Sequence, residues 1–372
     1  MAYALGSNPG TLPNMNTFTE DIGSATRLVT SAPFSAYLQE EIFESSAMVQ
    51  SGLIATDSRL NNITGVIAEL PFFAPLNYSE EVLDSSATWG DQGTGVLTWQ
   101  KQTAGTQYGI HTNRTAGFSM DDLSQVETGE DALANIRTQL ARDMNRKLTA
   151  KVISQLTGLF GAALAGHVIT VGSEEDDYSG LSDANYLNAG VVTQAKSLLG
   201  ERGGELSVIV MHSAVAYHLQ ALGMLTFLNS GGTVNYASNG IGQTSTDVGY
   251  FAGLRVVIDD QVPKTATSSK TPIFTCYLAS NGVIKTGSQF PLTIETARSI
   301  DTWTTQMAIK YNTIHHVLGT TWTGTSGIAL SKSGLSNTAL ATAGNWDLAF
   351  SDSRLIPLVQ IDVNSPYGGI NA

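Results

Sequence analysis

Charged side chains are scarce in this sequence: Asp, Glu, Lys and Arg make up 14% of its 372 residues, against about 25% in ordinary soluble domains. A free-standing monomer covers itself with such groups. The deficit points to surface hidden against other copies, because charge is depleted at the centre of interfaces. Cations are scarcer still, 19 Lys and Arg against 32 Asp and Glu, for a net charge of −13. Gripping nucleic acid by neutralising phosphates needs clustered Lys and Arg, and this balance argues against it. Cysteine occurs once, at Cys276, which excludes an intrachain disulfide framework and any multi-cysteine zinc site. Its place in the apolar run IFTCYL predicts a buried thiol in a reducing compartment. Long apolar runs are missing too. The longest candidate, GLFGAALAGHVITV from Gly158 to Val171, is too short to span a bilayer and contains His167. The N-terminus MAYALGSNPG lacks a basic stretch followed by an apolar core, so no secretory signal is expected.

What is present is enough hydrophobic material, 42%, to build two or three lobes at the usual domain size. Residues 1–30 are rich in Thr, Asn, Ser and Gly and cannot bury enough apolar area to fold alone; they read as an arm that orders on a partner. A helix is expected from Pro33 to Gln50, with Phe34, Leu38 and Ile42 on one stripe. Residues 54–76 hold strand-like pieces in which Pro71 and Pro75 restrict pairing to a sheet edge. Residues 77–118 are polar and glycine-rich, with alternation from Val96 to His111 that suits a two-stranded ribbon. A connection this long has a job of its own. Next, Leu133, Ile136, Leu140, Met144, Leu148, Val152 and Leu156 recur every three or four residues after a capping signal at Thr128 and Asp131. That predicts a helix of about 28 residues, a structural spine roughly 40 Å long. Residues 180–294 read as a mixed lobe. It holds a buried strand in ELSVIVM, a short helix capped by Ser213, a flexible loop over 228–249, a strand in GLRVVIDD, and a hairpin in CYLASNGVIKTG turning at Asn281–Gly282. One long strand is expected over 301–323, with Trp303, Met307, Ile309 and Tyr311 on one face.

Catalytic signals are weak. His212–Ser213 sits at a strand-to-helix turn but lacks the glycines of a nucleophile elbow, and a helix cap explains it. Asp259–Asp260 ends a strand and reads as a turn with Gln261 and Pro263. A hydrolase built from His212, Ser213 and Asp259 or Asp260 is the rival reading from another class. His315 and His316 are adjacent in a strand and point to opposite faces, one packed and one exposed. The acid run Glu174, Glu175, Asp176, Asp177 and Asp183 lacks the calcium-loop pattern and reads as solvated. No phosphate loop, dinucleotide fingerprint, metal set or cofactor site is found.

Charge is unevenly distributed. Residues 1–128 carry four cations against fourteen acids, whereas the spine helix alone holds Arg137, Arg142, Arg146, Lys147 and Lys151. Acidic arms or loops of neighbouring copies lying across Arg142 and Arg146 would set register more than strength, since exposed ion pairs contribute about 0–1 kcal/mol each. Trp99, Lys101 and Tyr108 are the candidate contact residues on the long loop.

The order of arm, long loop, spine helix, α/β lobe and return strand resembles the tailed-phage major capsid proteins. The motifs carrying the resemblance are GFSMDDL at 117–123 leading into GEDALANIRTQLARDMNRKLTAKVISQLTGLFG, then VMHSAVAYHLQAL at 210–222, GLRVVIDDQVP at 253–263, CYLASNGVIKTGS, IETARS at 294–299, HHVLGTTW at 315–322 and NWDLAF at 345–350. The resemblance implies an α+β fold of the Hong Kong 97 type. Its expected parts are an arm and first helix at 1–76, an extended loop at 77–118, a peripheral domain with the spine helix at 119–179, an axial domain at 180–294, and a return strand with the C-terminal segment at 295–372. It implies a shell protein, not an enzyme, that forms hexamers and pentamers around double-stranded DNA without sequence-specific binding. Scaffolding, portal and decoration proteins are the implied partners, with no membrane. The implied location is the virion capsid, assembled in the host cytoplasm. An encapsulin-type compartment shares the fold and is the alternative within the structural class.

Overall fold

The computed structural model describes residues 52–61, 67–74, 101–121, 132–228, 234–236, 248–265, 267–290, 292–299, 301, 303–324 and 335–369. The arm at 1–30, the helix at 33–50, the capping signal at Thr128 and Asp131, Trp99 and most of the loop at 228–249 lie outside them.

In chain order the elements are β1 (Ile54–Thr56), β2 (Ile67–Phe73), β3 (Ala104–Asp121), α1 (Ala132–Gly161), β4 (Val168–Thr170), α2 (Ala189–Leu198), β5 (Val208–Met211), α3 (Ser213–Ala221), β6 (Thr226–Leu228), β7 (Val234–Tyr236), β8 (Val248–Phe251), β9 (Leu254–Ile258), β10 (Ile273–Ala279), β11 (Ile284–Gly287), β12 (Thr293–Ser299), β13 (Thr304–Val317), β14 (Thr320–Trp322), α4 (Asn337–Ala341), β15 (Trp346–Leu348) and β16 (Leu358–Asn364). They form two large sheets and a small one. The first has the order β1-β11-β13-β3-β2, with β12 also on β13; the second runs β4-β16-β10-β5-β9-β8-β6-β7; β14 pairs with β15.

In the first sheet β13 lies antiparallel to β3 from Thr304–Asp121 to Ile314–His111. On its other side it carries β12 and then β11. β2 pairs with the opposite end of β3, from Ile67–Ile110 to Phe73–Ala104. The ribbon expected within 96–111 is therefore made by β3 with a strand upstream of the long loop. Pro71 sits on the sheet edge, as its missing N–H requires. The strand expected over 301–323 ends at Val317, because Gly319 at φ +95° turns the chain into β14.

The second sheet is buried on both faces at its centre. Period-two alternation splits its strands between two cores. Val208, Val210, Tyr277 and Ala279 face the core that holds α1. Ile209, Met211, Cys276 and Leu278 face the core that holds α2 and α3. Burial pushes the Cys276 thiol well up, so it is inert. The hairpin expected at Asn281–Gly282 does not form. Gly282 does take the left-handed turn at φ +65°. But β10 is already bonded on both edges, by β16 and β5, and β11 by β13 and β1. The turn instead passes the chain from one sheet to the other.

The spine helix is α1, 30 residues. Val152, Ile153, Leu156, Leu159 and Phe160 of its second half are buried in the first core. Gly158 lets α4 and β15 approach. A Cβ there would lie 2.2 Å from the Leu340 carbonyl oxygen and 2.7 Å from Trp346 Nε1, which donates to that same carbonyl at 2.8 Å.

Between α1 and the ladder runs a polar seam. Lys151 is buried and its ammonium group donates to the hydroxyls of Thr112, at 2.5 Å, and Thr313. Burial first, then the Arg114 charge, lowers its pKa from 10.5 to about 7. His315 lies in the same seam with neither ring nitrogen hydrogen-bonded. Its pKa is held well below the usual range by burial and then by Lys151. His316 is buried as well, on the opposite face, where burial lowers its pKa to about 4 and Gln107 Oε1 lies 3.2 Å from Nε2. The expectation of one exposed histidine fails because this part of β13 is covered on both sides.

Two predictions follow from this packing. Gly158→Ala must displace a backbone carbonyl, and overpacking of this kind costs about 1–3 kcal/mol or more. The urea midpoint of the unassembled subunit should fall accordingly; an unchanged midpoint would show that α4 separates freely from α1. For Lys151, the unfolded chain holds the extra proton between pH 7 and 10.5 while the folded chain has released it. Stability should therefore rise with pH across that window by up to ~1.4 kcal/mol per unit. Lys151→Met should remove that slope in denaturation curves taken at pH 7, 8 and 9, and a slope equal to wild type would contradict the assignment.

Candidate assembly interface

Exposed large apolar side chains among the described residues gather at three places. The first is the outer face of the β2–β3 ribbon. Alternation sends Ala68, Leu70 and Phe72 inward, where Phe72 meets the Phe350 ring edge-on at 5.0 Å and uses the space left by Gly105. The same alternation sends Glu69, Pro71 and Phe73 outward, opposite Tyr108, Thr106 and Ala104. Phe73 is 73% exposed and Tyr108 38%. A hydrogen bond from the Tyr108 backbone N–H to Thr321 Oγ1, 3.1 Å, ties the ribbon to β14.

The second place is the far end of the first sheet, where β12, β13 and the end of β3 run as a three-stranded tongue. Phe118 and Trp303 are exposed there, Trp303 by 63%, with the Arg298 guanidinium 5.8 Å from the Trp303 ring centre. The third is one end of the second sheet's lobe, with Tyr217, Leu222, Met224 and Tyr367 exposed. The His218 ring lies 4.9 Å from Tyr186 and 6.2 Å from Tyr367.

Of the residues singled out from sequence, Lys101 and Tyr108 are exposed on the ribbon strand or just before it. Arg146 is exposed on α1, beside Asp143 and Lys147. Arg142 belongs to α1 but its side chain is outside the described set, and Trp99 is outside it altogether. Of the described ones, Lys101 and Tyr108 belong to the β3 region and Arg146 to α1. Phe73, Trp303 and the lobe-end group were missed. Phe73 had a signal, since in PFF one aromatic must face away from its neighbour.

The hydrolase constellation does come together, but as capping. His212, not Ser213, is the N-cap of α3, and its Nδ1 accepts the Ala214 N–H at 3.1 Å. Asp260 takes the Ser213 N–H at 3.0 Å and lies 3.7 Å from the imidazole. Asp259 takes the Gln261 N–H at 2.9 Å. Burial lowers the His212 pKa and raises that of Asp259, while the bond from Ser213 lowers that of Asp260. Among the described residues no hydrogen bond joins Ser213 Oγ to the imidazole, and no group of three His, Cys, Asp or Glu side chains could hold a metal.

The comparisons agree with a surface built for contact rather than chemistry. The family model described as "Major capsid protein 13-like" matches residues 61–356. The major capsid protein of Bacillus phage SPP1 is 25% identical over 333 residues, 88% of this chain and 94% of the relative. Among solved structures, the capsid of Ralstonia phage GP4 aligns over 100% of both chains with a TM-score of 0.56 at 12% identity. The Cyanophage Pam1 capsid asymmetric unit aligns over 88% of this chain and 94% of that one, with a TM-score of 0.51 at 11% identity. At such identities the structural likeness speaks for the fold alone, a mixed α/β fold similar to phage capsid proteins. The chain belongs to the major capsid protein 13-like family and is a structural protein of a phage virion capsid, not an enzyme.

Proposed function

We propose that copies of this chain assemble into hexamers and pentamers of an icosahedral shell enclosing double-stranded DNA, with the Hong Kong 97-type capsid fold. The observation that carries the reading is the bare outer face of the β2–β3 ribbon, where Phe73, Pro71 and Tyr108 stand in water in a chain with only 14% charged residues. Apolar burial stabilises by about 25 cal/mol per Å². Contacts of this kind, repeated around every subunit, make a stable shell from individually weak pieces.

In this reading residues 77–118 reach over the next subunit, with Trp99, Lys101 and Tyr108 in the contact, and acidic segments of neighbours lie over Arg142 and Arg146. Residues 1–76 form the arm and first helix. α1 and β13 belong to a peripheral domain drawn from 119–179 and 295–372, and 180–294 form the axial domain. The second sheet also takes in β4 and β16 from outside that range. With a charge of −13, the wall does not condense DNA, which a separate motor drives in. Scaffolding, portal and decoration proteins are the further partners, and assembly takes place in the host cytoplasm.

Electron microscopy and sedimentation of purified protein should show closed shells with five- and six-fold clusters. Phe73→Asp with Tyr108→Asp should lower the assembled fraction at least tenfold while the subunit keeps its circular dichroism. A wild-type protein that stays a single molecule at all concentrations sinks the proposal. Arg142→Glu with Arg146→Glu should reduce assembly yield and flatten its salt dependence; unchanged yield and salt response would remove the helix contact from the scheme.

A further inference from the structure

The three-stranded tongue carries a protruding knob and a recessed face on the same element. The knob is its tip. Trp303 holds φ at +51°, a region that bulky L-residues avoid. It keeps the indole 63% exposed, with Arg298 against the ring. Trp and Arg are the residue types that most often anchor protein interfaces. A backbone outlier that presents an exposed indole, where glycine would sit without strain, is an outlier with a use.

The recessed face lies further along the same strands. Register places Ala308 between Gly117 and Glu295, and Gln306 between Ser119 and Ala297. These side chains are exposed, and four of the six positions are Gly, Ala or Ser. They line a groove of about 450 Å³. Its charged rim is Glu295 and, one pair along the same face, Lys310. The knob carries the complementary set, Arg298 and Asp301.

We propose that the tip of one copy, Trp303 with Arg298, seats in the groove over Gly117, Ala308 and Ala297 of a second copy, Arg298 meeting Glu295 and Asp301 meeting Lys310. This rests on the self-assembly read above and adds to it a named contact. The occupant is another copy for a geometric reason. Trp303 and Ala308 are five residues apart along one extended strand, roughly 16 Å, so no tip can fold back onto its own groove. Small side chains in the groove leave room for an indole, and a knob and hole on one chain form a self-propagating or ring-closing contact.

The test uses the full chain assembled into particles. Trp303→Gly removes the knob and relieves the left-handed strain. Its subunit should melt at the same temperature as wild type or higher, while the assembled fraction falls at least tenfold. Ala308→Trp, which fills the hole from the other side, should give the same loss. Wild-type assembly in both variants overturns the proposal and leaves the shell reading intact. An independent measurement pairs Asp301→Cys with Ala308→Cys, the native Cys276 being buried. Oxidised particles should then give linked multimers on a denaturing gel, and either single substitution monomers only. No links from the pair, or equal links from Asp301→Cys alone, would refute a tip-in-groove contact.

Discussion

The ladder between β3 and β13 is the constraint on which the rest of the structure depends. It runs unbroken from Thr304–Asp121 to Ile314–His111, and its two ends live in different surroundings. At one end β13 is covered on both faces, so Ile314, His315, His316 and Val317 are all buried. At the other end the same strands continue with Gln306, Ala308 and Lys310 exposed. An antiparallel sheet tolerates one wet face, and edges and bare faces invite pairing with another chain. A strand held firmly at one end and bare at the other extends surface away from the core without unfolding it. The ribbon of β2 and β3 does the same in another direction, anchored by Phe72 on Phe350 while Phe73 faces water.

The seam under α1 shows what this arrangement costs. A helix on a sheet normally meets it with apolar side chains, and the second half of α1 does so through Leu156, Leu159 and Phe160. At Lys151 the contact turns polar, with two threonine hydroxyls as acceptors and His315 left without a hydrogen bond. A buried amine without a carboxylate is stabilised by losing its charge, the direction its lowered pKa takes. Such a contact holds the helix less tightly than an apolar one but specifies its register, because a shift along the helix would strand the amine away from both hydroxyls. The second half of α1 thus belongs to the first core, and on the other side of Lys151 the described side chains Leu140 and Met144 are buried as well.

The sequence was most legible where one physical rule acts alone. The three-to-four residue recurrence reads true at Leu140, Met144, Val152 and Leu156, all buried on α1, and the run VIVM reads as a strand that is buried throughout. It misled where tertiary pairing overrode local chemistry. Asn281–Gly282 is a good hairpin turn, and the backbone does turn there, but both strands had their edges taken. His315 and His316 alternate as expected, yet alternation says which face a side chain takes and not whether that face is wet. Ser213 looked like a cap, while the cap lies one residue earlier, a shift that sequence rules do not resolve. The exposed aromatics were the hardest to read. Phe73 and Trp303 sit in alternating apolar patterns that look the same whether the partner surface comes from this chain or from another.

Charge and grease pull in opposite directions across such surfaces. Each copy carries −13, so copies repel one another over a range of about 8 Å at physiological salt. The apolar contacts proposed at Phe73 and Tyr108 would act only after that approach and would be insensitive to screening. Added salt therefore favours association through these contacts, since it weakens the repulsion and leaves the attraction. A contact made by acidic segments on the cations of α1 behaves in the reverse way. The sign of the salt response at any one interface thus reports which force holds it. A chain this poor in cations, 19 in 372 residues, has few places where the ionic kind can dominate.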